Sequence, residues 1–210
     1  MARTRIKICG IRDEDAVYAA IEAGADAVGF VFVGGSPRYI KPERAFELMG
    51  LLTPMVVSVG VFQDMEADEF GELEQVCPVH HAQLHGQETP ETVEACGPDV
   101  IKAVRFGTPT FEEDVARWDV DESVAAVLID GPSAGSGEAL DWAAVARVTE
   151  HLSTPVFLAG GLTAANVGEA VRLVRPYAVD VSSGVESSRG VKDAGMIAAF
   201  CEAVRRADGG

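Results

Sequence analysis

The chain has 210 residues, 48% of them hydrophobic and 24% charged, a globular composition that excludes disorder and fibrous structure and predicts a single domain over 1–210. Its 33 Asp and Glu against 17 Lys and Arg give a formal net charge of −16, a field that repels phosphate backbones and anionic lipid, so nucleic acid and membranes are set aside as partners.

Short runs rich in Val, Ile and Phe alternate with longer stretches rich in Ala and Glu. In chain order the pattern predicts a strand over 5–10, a helix over 14–23, a strand over 27–32, a helix over 42–51, a strand over 55–62 and a helix over 65–76. A strand over 81–86 and a short helix over 90–96 follow, then a strand over 100–106, a helix over 111–118 and a strand over 125–130. The last cycles are a helix over 142–151, a strand over 155–160, a helix over 164–174, a strand over 177–183 and a helix over 193–206. Asp13 and Thr163 read as helix N-caps and Gly24 as a helix stop. Strict alternation implies parallel strands covered by helices, and eight cycles favour a closed (β/α)8 TIM barrel over an open doubly wound sheet. The segment after the first strand, 10–15, also lacks the glycine fingerprint of a dinucleotide fold.

No apolar run approaches the ~20 residues that a spanning helix needs. The start lacks a signal-peptide core, so the expected location is cytoplasmic. Cys9, Cys77, Cys96 and Cys201 form no CxxC, and His80, His81 and His151 have no metal-ligand spacing, so free thiols and no metal are expected.

In a barrel of this kind the reactive residues lie where strands end. The first predicted strand ends in Lys-Ile-Cys-Gly, the fourth in Gln-Leu-His-Gly, the sixth in Leu-Ile-Asp-Gly, the seventh in Leu-Ala-Gly-Gly-Leu and the eighth in Val-Asp-Val-Ser-Ser-Gly. Strand alternation puts Arg5, Lys7 and Cys9 on one side and Ile6 and Ile8 on the other. By the same logic Asp130, Asp180 and Ser182 face the mouth. A thiol at Cys9 and a carboxyl at Asp130 then form an acid and base pair. Gln83 and His85 point into the same mouth. Backbone N–H groups of Gly160, Gly161, Ser183 and Gly184 suit a phosphate, with a short helix starting near Gly184 aiming its positive end at it. Arg38, the only cation of the loop after the second strand, suits a substrate carboxylate through paired hydrogen bonds, although a surface ion pair would also account for it. The glycine-rich stretch 134–137 reads as a flap.

Taken together, Lys-Ile-Cys-Gly-Ile, Gly-Phe-Val-Phe, Ser-Pro-Arg-Tyr-Ile, Gln-Leu-His-Gly, Leu-Ala-Gly-Gly-Leu and Val-Asp-Val-Ser-Ser-Gly-Val-Glu resemble the phosphoribosylanthranilate isomerase family over almost the whole chain. The resemblance implies a cytosolic barrel enzyme of tryptophan biosynthesis with no metal or organic cofactor and a small phosphorylated substrate; the sequence leaves monomer and homodimer both open. It implies Cys9 as general base, Asp130 as general acid, Arg38 on the anthranilate carboxylate, Asp180 on a sugar hydroxyl and the two glycine endings on phosphate. The chain departs from the family after the sixth strand, where Gly131-Pro132 and then Ala134-Gly135-Ser136-Gly137-Glu138 replace an expected Asp-Ser and a Gly-Gly-Thr-Gly run with a basic residue. A related isomerase of a histidine-pathway aminoaldose resembles a two-aspartate pattern instead, with Asp where Cys9 stands. A barrel that only binds a phosphorylated metabolite would need no acid and base pair.

The proposed chemistry makes opposite demands, since the carboxyl must keep a proton near neutrality while the thiol must lose one. Lys7 is expected to pair with Asp180 from the eighth strand and to lend Cys9 a positive field. A buried pair that only fixes strand register would account for Lys7 equally well.

Overall fold

The computed structural model describes residues 3–131 and 140–209. The predicted alternation is present throughout. Strand β1 (Arg5–Cys9) is followed by α1 (Glu14–Glu22), β2 (Ala27–Val31), α2 (Pro42–Met49), β3 (Val57–Phe62), α3 (Ala67–Val76), β4 (His81–Leu84) and α4 (Pro90–Ala95). Then come β5 (Val100–Arg105), α5 (Phe111–Asp119), β6 (Val124–Asp130), α6 (Trp142–Thr149), β7 (Val156–Leu158), α7 (Val167–Val174) and β8 (Ala178–Val181). A 3-10 turn (Ser183–Val185) leads into a hairpin of β9 (Glu186–Ser188) and β10 (Val191–Lys192), and α8 (Ala194–Asp208) ends the described chain.

β1 to β8 form a closed parallel barrel in sequence order, with β1 pairing to β2 on one side and β8 on the other. This is the (β/α)8 architecture that the alternation predicts. The even positions of β1, Ile6 and Ile8, pack outward into the large cluster that includes Ile197, Phe200 and Cys201 of α8. Val59, Ile101, Ala103, Ala126, Leu128 and Ala159 fill the barrel interior, and Cys9, Val31 and Val61 form a further layer. Each strand therefore sends one face to the helices and the other to the interior, as a two-residue period requires.

Several boundaries differ from the sequence reading for local reasons. β3 begins at Val57 rather than 55, because Pro54 has no N–H for the ladder and Val56 closes a turn back onto Thr53. α1 is capped by Asp13, whose carboxylate accepts from Ala16 N at 2.8 Å, and Gly24 ends it in the left-handed region at φ 74°. Thr163 does not cap α7. Its N–H donates to Asn166 Oδ1 at 2.7 Å, and this turn delays the helix to Val167. The helix expected near Gly184 is a single 3-10 turn of three residues, too short to build an axial dipole. The proposed flap at 134–137 lies outside the described residues.

Behind the β4 end, Lys102 and Glu88 form a buried ion pair at 2.9 Å. Glu88 also accepts from the backbone N–H groups of Asp64 and Gly86, so it ties the loop after β3 to the loop after β4. Glu88→Ala leaves the Lys102 ammonium with backbone carbonyls such as those of Gly86 and Ala103 and the Trp118 ring, and no counter-charge from Glu88. Urea unfolding should show a loss of about 3–5 kcal/mol for that variant, whereas the paired change Glu88→Leu with Lys102→Met recovers the part owed to the stranded ammonium but not the part owed to the Asp64 and Gly86 N–H groups. Equal stability of Glu88→Ala and the wild type would contradict this account.

Candidate active site

The strand ends open onto a cavity of about 530 Å³ at the C-terminal mouth of the barrel. Cys9, Asp130, Gln83, His85, Arg38, Asp180, Gly160, Gly161, Ser183 and Gly184 all line it. Every site residue named from the sequence thus reaches one space, but several have partners there that local spacing does not reveal.

Cys9 ends β1 opposite Gly29 of β2. A Cβ on Gly29 would stand 2.9 Å from Cys9 Sγ, so the glycine of Gly-Phe-Val-Phe makes room for the sulfur. One layer deeper, Lys7 Nζ donates to Asp180 Oδ1 at 2.9 Å with both side chains buried, which is the pairing expected from the register of β1 against β8. Burial works against the Lys7 ammonium, yet Asp180 and Cys9 together hold its pKa above the ordinary lysine value.

Lys7 pulls the Cys9 pKa down, in line with the positive field expected of it, but does not outweigh burial. Burial pushes the Cys9 thiol up, Lys7 pulls it down, Asp180 pushes it up and Lys192 pulls it down, and burial prevails. The free protein therefore carries a protonated thiol near two ammonium groups, Lys7 and Lys192, that favour its ionised form. Cys77, Cys96 and Cys201 are each pushed up to about 11 by burial, so none is a reactive thiol at neutral pH.

Asp130 ends β6, three strands from β1 on the shorter way round the barrel. Its side chain is a quarter exposed, and His85 Nε2 lies 3.3 Å from Asp130 Oδ2. Gln83, fully buried, places Nε2 at 3.0 Å from His85 Nδ1, while its Oε1 has no hydrogen-bond partner among the described residues. Gln83, His85 and Asp130 thus form a chain, where the sequence shows the first two only as side chains pointing into the same mouth.

Arg38 is not a free fork. Its Nε and Nη2 donate to Glu186 Oε1 and Oε2 at 2.7 and 3.0 Å, and its stem lies over Gly10, where a Cβ would meet Arg38 Cδ at 2.7 Å. Nor is this a surface pair, because Glu186 is 4% exposed and also accepts from buried Lys192 Nζ at 2.9 Å and from Gly190 N. Lys192 bonds Ser182 as well, and Ser182 Oγ donates to the Cys9 carbonyl. The hairpin after β8 therefore binds the β2 loop to the β1 end through one carboxylate. Glu186 and Lys192 carried no role in the sequence reading. Neither did Arg189, at the hairpin turn, which also lines the cavity.

Where β7 ends, next to β8, Gly160 and Gly161 both adopt positive φ, 87° and 66°, and a Cβ on Gly160 would fall 2.1 Å from Gly131 N. A Cβ on Gly184 would fall 1.9 Å from the Leu162 carbonyl oxygen. Glycine at these positions lets the ends of β6, β7 and β8 meet and leaves their backbone on the cavity wall. Among the described residues no group of His, Cys, Asp and Glu has the geometry to hold a metal ion, and no helix is long and apolar enough to cross a membrane.

The model of the N-(5′-phosphoribosyl)anthranilate isomerase family matches residues 6–203. The chain belongs to that family. The Pseudomonas fluorescens (strain Pf0-1) enzyme of this name is 45% identical over 210 residues, covering 98% of this chain and all of that one. The crystal structure of the Thermus thermophilus enzyme superposes with a TM-score of 0.86 at 40% identity, covering 97% and 99% of the two chains. A family member crystallised with reduced 1-(o-carboxyphenylamino)-1-deoxyribulose 5-phosphate superposes with a TM-score of 0.85 at 34% identity over 97% and 99%.

Two outcomes follow from this geometry. Burial opposes ionisation of Glu186, but Arg38, Lys192 and the Gly190 N–H hold its pKa down at about 2, below the ordinary glutamate value. A depressed folded-state pKa stabilises the protein above about pH 4.5, and that stabilisation is lost as the pH falls towards 2. Glu186→Gln should therefore lower the melting temperature at pH 7 and narrow its gap to wild type in acid; a gap that widens in acid contradicts the assignment. Gly29→Ala should displace the Cys9 sulfur and slow its alkylation in the folded protein, while an unaltered rate would mean that the sulfur does not rest on Gly29.

Proposed function

We propose that this chain isomerises N-(5′-phosphoribosyl)anthranilate to 1-(2-carboxyphenylamino)-1-deoxyribulose 5-phosphate in tryptophan biosynthesis, in the cytoplasm, with Cys9 and Asp130 as its base and acid. Family membership over nearly the full chain supports the reaction, and the observation that carries the residue roles is that Cys9 and Asp130 line one cavity from different strands. The complex of a relative with the reduced product analogue supports a phosphorylated ligand of this size and shape.

In this reading Asp130 gives a proton to the furanose ring oxygen while the C1′–O4′ bond breaks and its electron pair passes to that oxygen. The ring opens to a Schiff base conjugated with the aromatic amine. Cys9 then removes the proton from C2′, and the freed electron pair neutralises the iminium to give an enolamine, which tautomerises to the ketone. The resting thiol must ionise for this step. Lys7, Lys192 and the positive charge of the Schiff base all favour the thiolate, so the base forms where and when it is needed.

Arg38, steadied by Glu186, keeps the Nη1 side of its guanidinium unused among the described residues, and that side suits the anthranilate carboxylate. The N–H groups of Gly160, Gly161, Ser183 and Gly184 suit the phosphate as a backbone nest, without the help of a helix dipole. Asp180 keeps its second oxygen for a sugar hydroxyl. The Cys9 thiol in place of a second aspartate, together with the family match, favours this substrate over a histidine-pathway aminoaldose.

Supplying phosphoribosylanthranilate, generated in place, and following the loss of its fluorescence tests the reading. Wild type should turn it over, and Cys9→Ser and Asp130→Asn should each lower kcat by about 10² to 10⁴. Equal decay in all three proteins would reject the assignment.

A further inference from the structure

The proposed mechanism needs a proton on Asp130 at the moment the ring opens, and the groups around that carboxyl determine whether one is available. The nearest is His85, at 3.3 Å, and His85 is in turn held by Gln83 at 3.0 Å. A histidine ring nitrogen next to an amide has two self-consistent arrangements. With the amide nitrogen toward Nδ1, that ring nitrogen accepts, the only ring proton sits on Nε2, and it points at an ionised Asp130. Such a pair has no acid proton to give. This arrangement also strands the buried Oε1 of Gln83 without a partner. A buried amide oxygen left unpaired costs about 1–3 kcal/mol.

A half turn of the Gln83 amide changes the proton count. Its oxygen then accepts from Nδ1–H, which satisfies the stranded atom, and its nitrogen takes the buried place that the oxygen held. Nε2 now shares a second proton with Asp130, either as imidazolium with carboxylate or as imidazole with carboxylic acid. We infer that Gln83 is a positioning residue which, through its amide oxygen on His85 Nδ1, makes His85 and Asp130 a proton-sharing pair, and that this pair is the general acid of the reaction. On ring opening the shared proton passes from Nε2 through the Asp130 carboxyl to the furanose oxygen. The pair is left one proton short until solvent restores it. The inference rests on the function proposed above, but not on its substrate contacts.

The other charged groups near the pair differ in kind. Arg105 stands opposite Asp130 in the register of β5 against β6. Cys9 and Asp180 line the cavity from β1 and β8, with Lys7 held behind Asp180, while Arg38 and Arg189 line it from the β2 loop and the hairpin turn. Gln63, from the end of β3, is neutral. Gln83 is the residue held against His85 Nδ1, at 3.0 Å, so a change at Gln83 is read through the imidazole.

The test has two readouts. Nitrogen-15 NMR of the wild type without substrate, with His80, His81 and His151 assigned by substitution, should show His85 protonated at Nδ1 at neutral pH. A neutral His85 with its only proton on Nε2 would overturn the inference. The second readout is the pH dependence of kcat on phosphoribosylanthranilate. In Gln83→Glu the side chain can only accept and adds negative charge beside the ring, so the alkaline limb should move up by about one pH unit. In Gln83→Leu, which cannot accept, the same limb should move down. Lower kcat in both variants with an unmoved limb would mean that Gln83 only packs, and would overturn the inference. A wild type that fails to turn over phosphoribosylanthranilate would instead reject the proposed function, and the NMR result would stand apart from it.

Discussion

The buried ion pair between Lys7 and Asp180 is the constraint on which the barrel and its site both depend. It joins β1 to β8, the two strands that sequence order alone leaves at opposite ends of the sheet, and it lies one layer beneath Cys9. A charge pair in a barrel interior is expensive to bury, and apolar side chains would close the same seam at less cost. Keeping it puts a permanent ammonium under the sulfur and a carboxylate oxygen on the cavity wall. Packing alone calls for neither.

Above that layer the mouth is organised by a second carboxylate. Glu186 collects Arg38, Lys192 and the Gly190 N–H, so a hairpin that is not part of the barrel fixes the loop after β2 and the end of β1 together. The cationic side of the site is thus held rigid before a ligand arrives, which lowers the ordering cost of binding a charged substrate. This matters in a chain whose net charge of −16 would otherwise repel a phosphorylated carboxylate. Local cations, fixed in place, answer a global field of the wrong sign.

The fold and the reactive atoms were legible because both follow short-range rules. A two-residue strand period puts Cys9 and Asp130 inward from the moment the strands are recognised, and the eight cycles close into the barrel that brings them to one cavity. The partners were not legible, because they follow no period. Glu186 meets Arg38 across 148 residues of chain, and the hairpin that carries it is too short to show alternation. Asn166 displaced Thr163 at the start of α7 through a side-chain hydrogen bond that composition does not rank. Gly29 could have been found, since a glycine inside a strand signals close approach, but its neighbour is visible only in the register of β1 against β2.

The Lys7 ammonium, and not the seam it closes, is what favours ionisation of Cys9 against the burial that keeps the thiol protonated. Replacing both partners, Lys7→Met with Asp180→Leu, keeps an apolar seam while removing the charge. The measurement is the alkylation rate of Cys9 as a function of pH, read by mass spectrometry at that residue in the folded protein. The account predicts a thiol that ionises at higher pH and reacts more slowly at neutrality than in the wild type. A Cys9 that titrates unchanged, or reacts faster, would contradict it.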